Sequence, residues 1–193
     1  MIEPAIPTMY NGIRFRSRLE ATWARFFDVV EWPWQYEPID LNGYIPDFIL
    51  PFTWHSGAAN STHPVLVEVK PVLSLEELRG FTSKIEKSGW DKEALIVGAG
   101  PLESSNWSAT VLGLLGEVNG EPPLKPGSWW WEEGLFMKCR ECGRLSFYHS
   151  QGGYDSRICG HYDGDGFLGD GNEEFRVAWA KAKNQTQWAI PKR

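Results

Sequence analysis

Asp47, Glu68 and Lys70 are the residues of this 193-residue chain whose types and spacing could do chemistry. Asp47 stands in the apolar run "IPDFIL", and Glu68 and Lys70 stand two residues apart in "VLVEVKP". In the second run Val65, Val67 and Val69 alternate with Leu66, Glu68 and Lys70. That period reads as a strand with one wholly apolar face and with Glu68 and Lys70 side by side on the other. Taken alone, the pair is explained by a salt bridge on a half-exposed strand. Three ionisable groups on two neighbouring apolar strands need a further reason, because a buried charge is costly unless it is paired or binds a metal. Metal-assisted phosphodiester cleavage supplies one. A hard cation such as Mg2+ or Mn2+ takes one or two protein carboxylates and keeps positions for water and phosphate. Asp47 and Glu68 are the expected carboxylate ligands, with the backbone carbonyl of Val69 as a third. Lys70 would orient the attacking water, help it lose its proton and offset charge on the phosphate.

A second constellation lies near the C-terminus. "KCRECGRLSF" carries Cys139-x2-Cys142-Gly, and "SRICGHYDG" carries Cys159 sixteen residues further on. The spacing suits structural zinc, and "SRICG" reads as a second knuckle whose first Cys has become Ser156. His161 and His149 can each supply the missing ligand, and His161 is favoured because it follows Cys159 on the same turn. Such a closed four-ligand site is structural, and a segment of about forty residues needs a staple of this kind to fold. Trp129, Trp130 and Trp131, with Lys138, Arg140 and Arg144 nearby, suit either stacking on nucleic acid or packing of the module onto the core. "DGDGFLGDGNEE" lacks regular EF-hand spacing and reads as an acidic loop.

The elements that must position these residues follow from pattern. Leu19, Trp23, Phe26, Phe27 and Val30 form a helical stripe over 15–32, with Ser17 as N-cap and Glu20 completing a capping box. Glu20 borders that stripe and can serve either as the cap or as support for a metal site. Two strands follow, joined around Asn42-Gly43, and then a polar loop over 52–63. The strand at 65–70 precedes a helix over 74–89 and a buried strand at 93–100, and 102–118 is assigned to strand. Residues 119–128 carry three Pro and read as a linker, and 172–188 reads as an amphipathic helix. His55 and His63 are expected to be ordinary loop histidines, Glu37 and Asp40 are expected at the surface, and the arginines at 14, 16, 18 and 25 suit either a local basic patch or solvated surface charge.

Pro46-Asp47, followed twenty-one positions after the Asp by Glu68-Val69-Lys70, resembles the PD-(D/E)xK or restriction-endonuclease-like nuclease superfamily. "FRSRLE", "PDFILP" and "VEVK" together also look like small nuclease-type proteins of actinobacterial phages. The resemblance spans residues 14–100 and implies an α/β (α+β, mixed-sheet) αβββαβ core, to which a small zinc-ribbon-like module is added. The expected division is a core over 1–120, the zinc module over 121–170 and a C-terminal helix and tail over 171–193. The implied activity is a Mg2+- or Mn2+-dependent deoxyribonuclease that cuts DNA with a metal-activated water. Asp47, Glu68 and Lys70 would be its catalytic residues, joined by Glu20, which sits where members carry a supporting Glu on the first helix. Pro71 departs from the family pattern, in which Gly often follows the Lys. Many relatives act as dimers, so a homodimer stays open. The alternative is a catalytically inactive nuclease-fold protein that binds or inhibits a protein partner, or a zinc-dependent nucleic-acid adaptor.

Composition bounds these readings. A hydrophobic share of 42% with eleven Trp supports a sizeable core. A net charge of −6 excludes a surface that is wholly a nucleic-acid footprint. Three clustered Cys suit metal chemistry in a reducing compartment rather than a disulfide framework. No apolar run approaches 18 residues and the N-terminus has no basic leader, so a cytoplasmic protein without a membrane span is expected, in the bacterial host cytosol if phage-encoded.

Overall fold

A computed structural model of the chain describes residues 5–56, 59–104, 109–119, 128–150, 156–161 and 171–186, the side chains of 53–61, 103 and 119 excepted. The chain opens with a small hairpin, β1 (Thr8–Tyr10) and β2 (Ile13–Phe15), turning at Asn11-Gly12. Helix α1 (Arg18–Val29) starts where the capping pattern places it: the Ser17 hydroxyl accepts from the Glu20 N–H at 3.1 Å. It buries Trp23, Phe26 and Phe27 completely. After it come β3 (Gln35–Tyr36), β4 (Phe48–Ser56) and β5 (Ala59–Val69).

The stretch read as a polar loop, 52–63, is instead the distal half of the β4–β5 hairpin, with Phe52 opposite His63 and Ser56 opposite Ala59. Antiparallel pairing continues through its backbone although the residues there are polar, since a ladder is a main-chain property that side-chain polarity does not veto. The helix expected over 74–89 is two short ones, α2 (Leu75–Arg79) and α3 (Thr82–Glu86), interrupted at Gly80-Phe81. They carry the chain across to β6 (Ala94–Glu103), which runs parallel to β5. β7 (Thr110–Asn119), β8 (Ser128–Lys138) and β9 (Leu145–His149) extend the sheet by antiparallel pairing, and α4 (Asn172–Gln185) closes the described chain. The result is one seven-stranded mixed sheet in the order β3-β4-β5-β6-β7-β8-β9. The segment from 128 to 149, assigned by sequence to a separate module, therefore enters the same sheet as the core strands. Of the linker read over 119–128, Asn119 ends β7 and Ser128 opens β8, and 120–127 lie outside the described residues. Among those residues no helix is long and apolar enough to cross a membrane.

Each face of the sheet has its own cover. Phe48, Leu50, Phe52, Val65, Val67 and Val69 point into the larger core with α1 and α4, while Leu66, Ile96 and Leu114 face α2 and α3. The sheet is also strongly rolled. β4 and β9 are five places apart, roughly 24 Å in a flat sheet at about 4.8 Å per strand. Yet the rings of Phe52 and Phe147 are 6.0 Å apart. Trp32, just beyond α1, fills the space between them, touching Phe52, Phe136 and Phe147 and donating its indole N–H to the Leu145 carbonyl at 2.9 Å. Close approach is also needed at Gly113, where an added Cβ would lie 1.9 Å from the Ile96 carbonyl oxygen. Trp32→Ala is expected to cost about 3–5 kcal/mol of unfolding free energy, read from urea denaturation, because it empties the seam where the rolled sheet meets itself.

Candidate functional site

Asp47 stands one residue ahead of β4, next to the Phe48–Val67 pair, so the register sets it beside Glu68. Both carboxylates are buried, at 4% and 5% exposure. Asp47 Oδ2 accepts the Val69 N–H at 2.7 Å, and Asp47 Oδ1 accepts from the Arg16 guanidinium at 2.5 Å. Glu68 Oε2 accepts the Tyr44 hydroxyl at 2.8 Å, and Glu68 Oε1 accepts from Lys70 Nζ at 2.5 Å. Lys70 Nζ also lies 5.3 Å from the centre of the Phe81 ring, which α3 presents from the covering layer. Glu68 and Lys70 thus share the α2–α3 side of the strand, while Val65, Val67 and Val69 fill the other.

Electrostatics at this place make it costly to keep both carboxylates ionised. Burial, then the neighbouring Glu68 carboxylate, push Asp47 up to about 7, against the Val69 N–H, which pulls it down. Burial and the same Glu68 charge push the Tyr44 hydroxyl upward as well, so it stays a donor. Glu20 is buried at the N-terminus of α1 and completes the capping box: Oε1 accepts the Ser17 hydroxyl at 2.8 Å, and Oε2 accepts the Tyr36 hydroxyl at 2.7 Å and the Arg16 N–H at 3.1 Å. It also adds to the negative field on Asp47. Arg16 binds Glu37 Oε1 at 2.9 Å in addition to Asp47. Arg16, left open between a basic patch and plain surface charge, and Glu37, expected at the surface, therefore belong to this cluster, as do Tyr36 and Tyr44. The signal for Arg16 was its place beside the N-cap of the helix that carries Glu20.

The second constellation is a Cys3His group. The ligand atoms of Cys139, Cys142, Cys159 and His161 all lie within 4.8 Å of one another, and Cys139 Sγ is 3.4 Å from His161 Nδ1. Two turns of the same form hold them. Gly143 donates to the Cys139 carbonyl at 2.8 Å and Gly160 to the Ser156 carbonyl at 2.8 Å, each glycine having positive φ. Ser156 is thus the structural counterpart of Cys139, and its hydroxyl bonds Ser146 Oγ at 2.7 Å instead of serving as a ligand. The donor set fits zinc, for which about 2.3 Å to each sulfur and a tetrahedron imply ligand atoms a little under 4 Å apart. Burial pushes the Cys159 thiol up to about 11, so a cation is what would hold it as a thiolate.

His149 takes no part in that group. It is fully buried, its ring 4.6 Å from that of Trp130, and burial together with Arg157 lowers it to about 4. His63 is half-buried, with Nε2 2.7 Å from Glu93 Oε2. The side chain of His55 lies outside the described residues, as does the acidic loop over 163–170. Trp131 is buried against α2 and α3, with its indole N–H on Glu86, so packing accounts for it.

Comparison with family models, curated proteins and solved structures finds no match to this chain.

The Cys3His geometry makes a direct prediction. Purified protein should hold one zinc per chain by elemental analysis. Cys159→Ser and His161→Ala should each lower affinity about 10–100-fold or more, whereas His149→Ala should leave the stoichiometry at one.

Proposed function

We propose that the chain is a Mg2+- or Mn2+-dependent deoxyribonuclease of the PD-(D/E)xK type, braced by a structural zinc at the Cys3His group. The carrying observation is the buried meeting of Asp47 and Glu68 with Lys70 on the same strand face. Charge supports it. With all four ionised, Glu20, Glu37, Asp47 and Glu68 outnumber Arg16 and Lys70 among the described ion pairs of this cluster by two, the charge of one divalent cation. The order α1, β3, β4, β5, α2–α3, β6 is also the order that the superfamily's core requires.

Asp47 and Glu68 would hold the cation, with the Val69 carbonyl beside them. Bound there, it would polarise the scissile phosphate and ease deprotonation of a water. The protein groups have separate tasks. The Val69 N–H and the Tyr44 hydroxyl fix the two carboxylates in place, which saves reorganisation when charge develops. Lys70, one-fifth exposed, reaches from the buried pair toward solvent and can position a water and meet phosphate oxygen. Arg16, more than half exposed, can contact a phosphate at the rim with its planar fork.

A second reading is favoured by one observation: each oxygen of Asp47 and Glu68 already accepts a hydrogen bond from the protein. A nuclease-fold protein without turnover, binding a protein partner, would keep such internal pairing. Incubation with plasmid and oligonucleotide DNA, with Mg2+ or Mn2+ against EDTA, separates the two. Cleavage is expected only with the cation, and Lys70→Ala should lower it about 10²–10³-fold, with Asp47→Asn lower still. Cation-dependent cutting that survives both substitutions rules the assignment out.

The pH dependence follows from Asp47. Its folded pKa lies above its unfolded value, so in cation-free protein this group favours folding at low pH and that contribution is lost as pH rises through about 7. A cation needs the ionised form. Its apparent affinity, measured by Mn2+ titration, should climb as pH rises through about 7 and then level off.

A further inference from the structure

Arg157 is the residue between the two constellations that neither one uses. It sits two positions before Cys159, inside the second knuckle, and its side chain is only 4% exposed. Its guanidinium grips both oxygens of Glu93 in fork geometry, with Nη2 2.6 Å from Oε1 and Nε 2.8 Å from Oε1 and 2.9 Å from Oε2. His63 of β5 completes the grip on Oε2, and Glu117 of β7 lies 3.9 Å from Arg157. Burial works against the charge on Glu93, but His63 and Arg157 hold it below the usual carboxylate range.

Glu93 is the residue immediately before β6, and its backbone carbonyl accepts the Leu66 N–H at 3.1 Å, at the start of the parallel β5–β6 ladder. Leu66 is two residues from Glu68. On the knuckle itself, the neighbour Ile158 enters the core beside α1, and the Arg157 N–H bonds the Phe147 carbonyl at 3.0 Å. A short turn with no regular secondary structure thus supplies the countercharge for a buried carboxylate on the strand pair that carries Glu68.

We propose that metal occupancy of the Cys3His group is transmitted to the β5–β6 pair through the Arg157–Glu93 grip, so that the ion controls order at the Glu68 strand as well as in its own knuckle. This rests on the reading of the group as a metal site. With the ion in place, the four residues that follow Arg157 include two ligands, Cys159 and His161, and the guanidinium is fixed. Without it, Arg157 loses its fixed position, and Glu93 becomes a buried charge lacking its strongest partner. Linkage makes the effect reciprocal: weakening the grip weakens metal binding.

The test uses the full chain, zinc as the probe and amide hydrogen exchange as the readout. In the unaltered protein, chelation should speed exchange in Leu66–Val69 and Leu95–Val97 about tenfold or more. Glu93→Met with Arg157→Met replaces the pair by apolar side chains, a change that is often near neutral for stability. In that protein chelation should speed exchange only around 139–161. Equal acceleration at β5 and β6 in both proteins, or none in the unaltered one, overturns the proposal. Arg157→Lys guards against a double variant that does not fold, since it keeps the charge and loses the fork. It should bind zinc several-fold more weakly, and unchanged affinity counts against the proposal. Cobalt–thiolate absorption reports metal binding separately. Its absence removes the metal reading and the proposal together, while its presence with uncoupled exchange removes the proposal alone.

Discussion

The contact between Phe52 and Phe147 through Trp32 is what the remaining geometry depends on. A seven-stranded sheet that stayed open would hold β9 far from β4, and two aromatic faces would be left in water. Rolling the sheet around α1 buries Phe26, Phe27, Phe136 and Phe175 in one mass, with rings at tilted and edge-on angles that suit their quadrupoles. Because β9 is drawn in, the turn that follows it is drawn in too. That is why Arg157, remote in sequence, can reach Glu93 and His63. Among the described residues, Trp23, Trp32, Trp34 and Trp179 belong to this aromatic core, and Trp90, Trp129 and Trp131 to the layer under α2 and α3.

The carboxylate cluster sits at the opposite, C-terminal end of β5, and its chemistry is set by what that place excludes. Water is nearly absent, so Asp47 and Glu68 repel each other through a medium that screens poorly. Arg16 and Lys70 offset part of the repulsion, and the Val69 N–H and the Tyr44 hydroxyl tie the two carboxylates down. A pair held this way cannot relax by swinging apart. On the proposed reading, strain that would be relieved by a divalent ion is kept in the resting protein, and the excess charge is the source of affinity.

Legibility in the sequence divided along physical lines. The period-2 run at 65–70 marked its own buried face, because a strand with three valines on one side has one way to be placed. Ser17 and Glu20 marked the helix start, and the glycines after the two cysteine turns marked both knuckles. The polar hairpin end at 52–63 was not legible, since backbone pairing leaves no side-chain pattern there. Nor was the break at Gly80-Phe81, where a capping box and a helical period ran on past the point at which the crossover must bend. Tyr44 and the Glu93–Arg157 pair were invisible for a different reason. Their roles come from contacts between distant segments, and a single charged residue in a loop gives no sign of whom it meets.

The two constellations ask opposite things of the fold. A Cys3His group is soft, uses all four positions, and gains from being held still, because each ligand fixed in advance is one less to order on binding. Two identical turns and a buried Ile158 supply that rigidity. An oxygen site for Mg2+ or Mn2+ must leave positions open and tolerate exchange of water for phosphate. On the proposed reading the carboxylate cluster meets that need with side chains that carry alternative partners, since Arg16 and Lys70 could face either a carboxylate or an incoming anion. Donor type also keeps the ions apart, since thiolates outcompete carboxylates for zinc while hard oxygen ligands suit magnesium. If Arg157 couples the two as proposed, the rigid site would place the firmer anchor on the strand pair that carries Glu68.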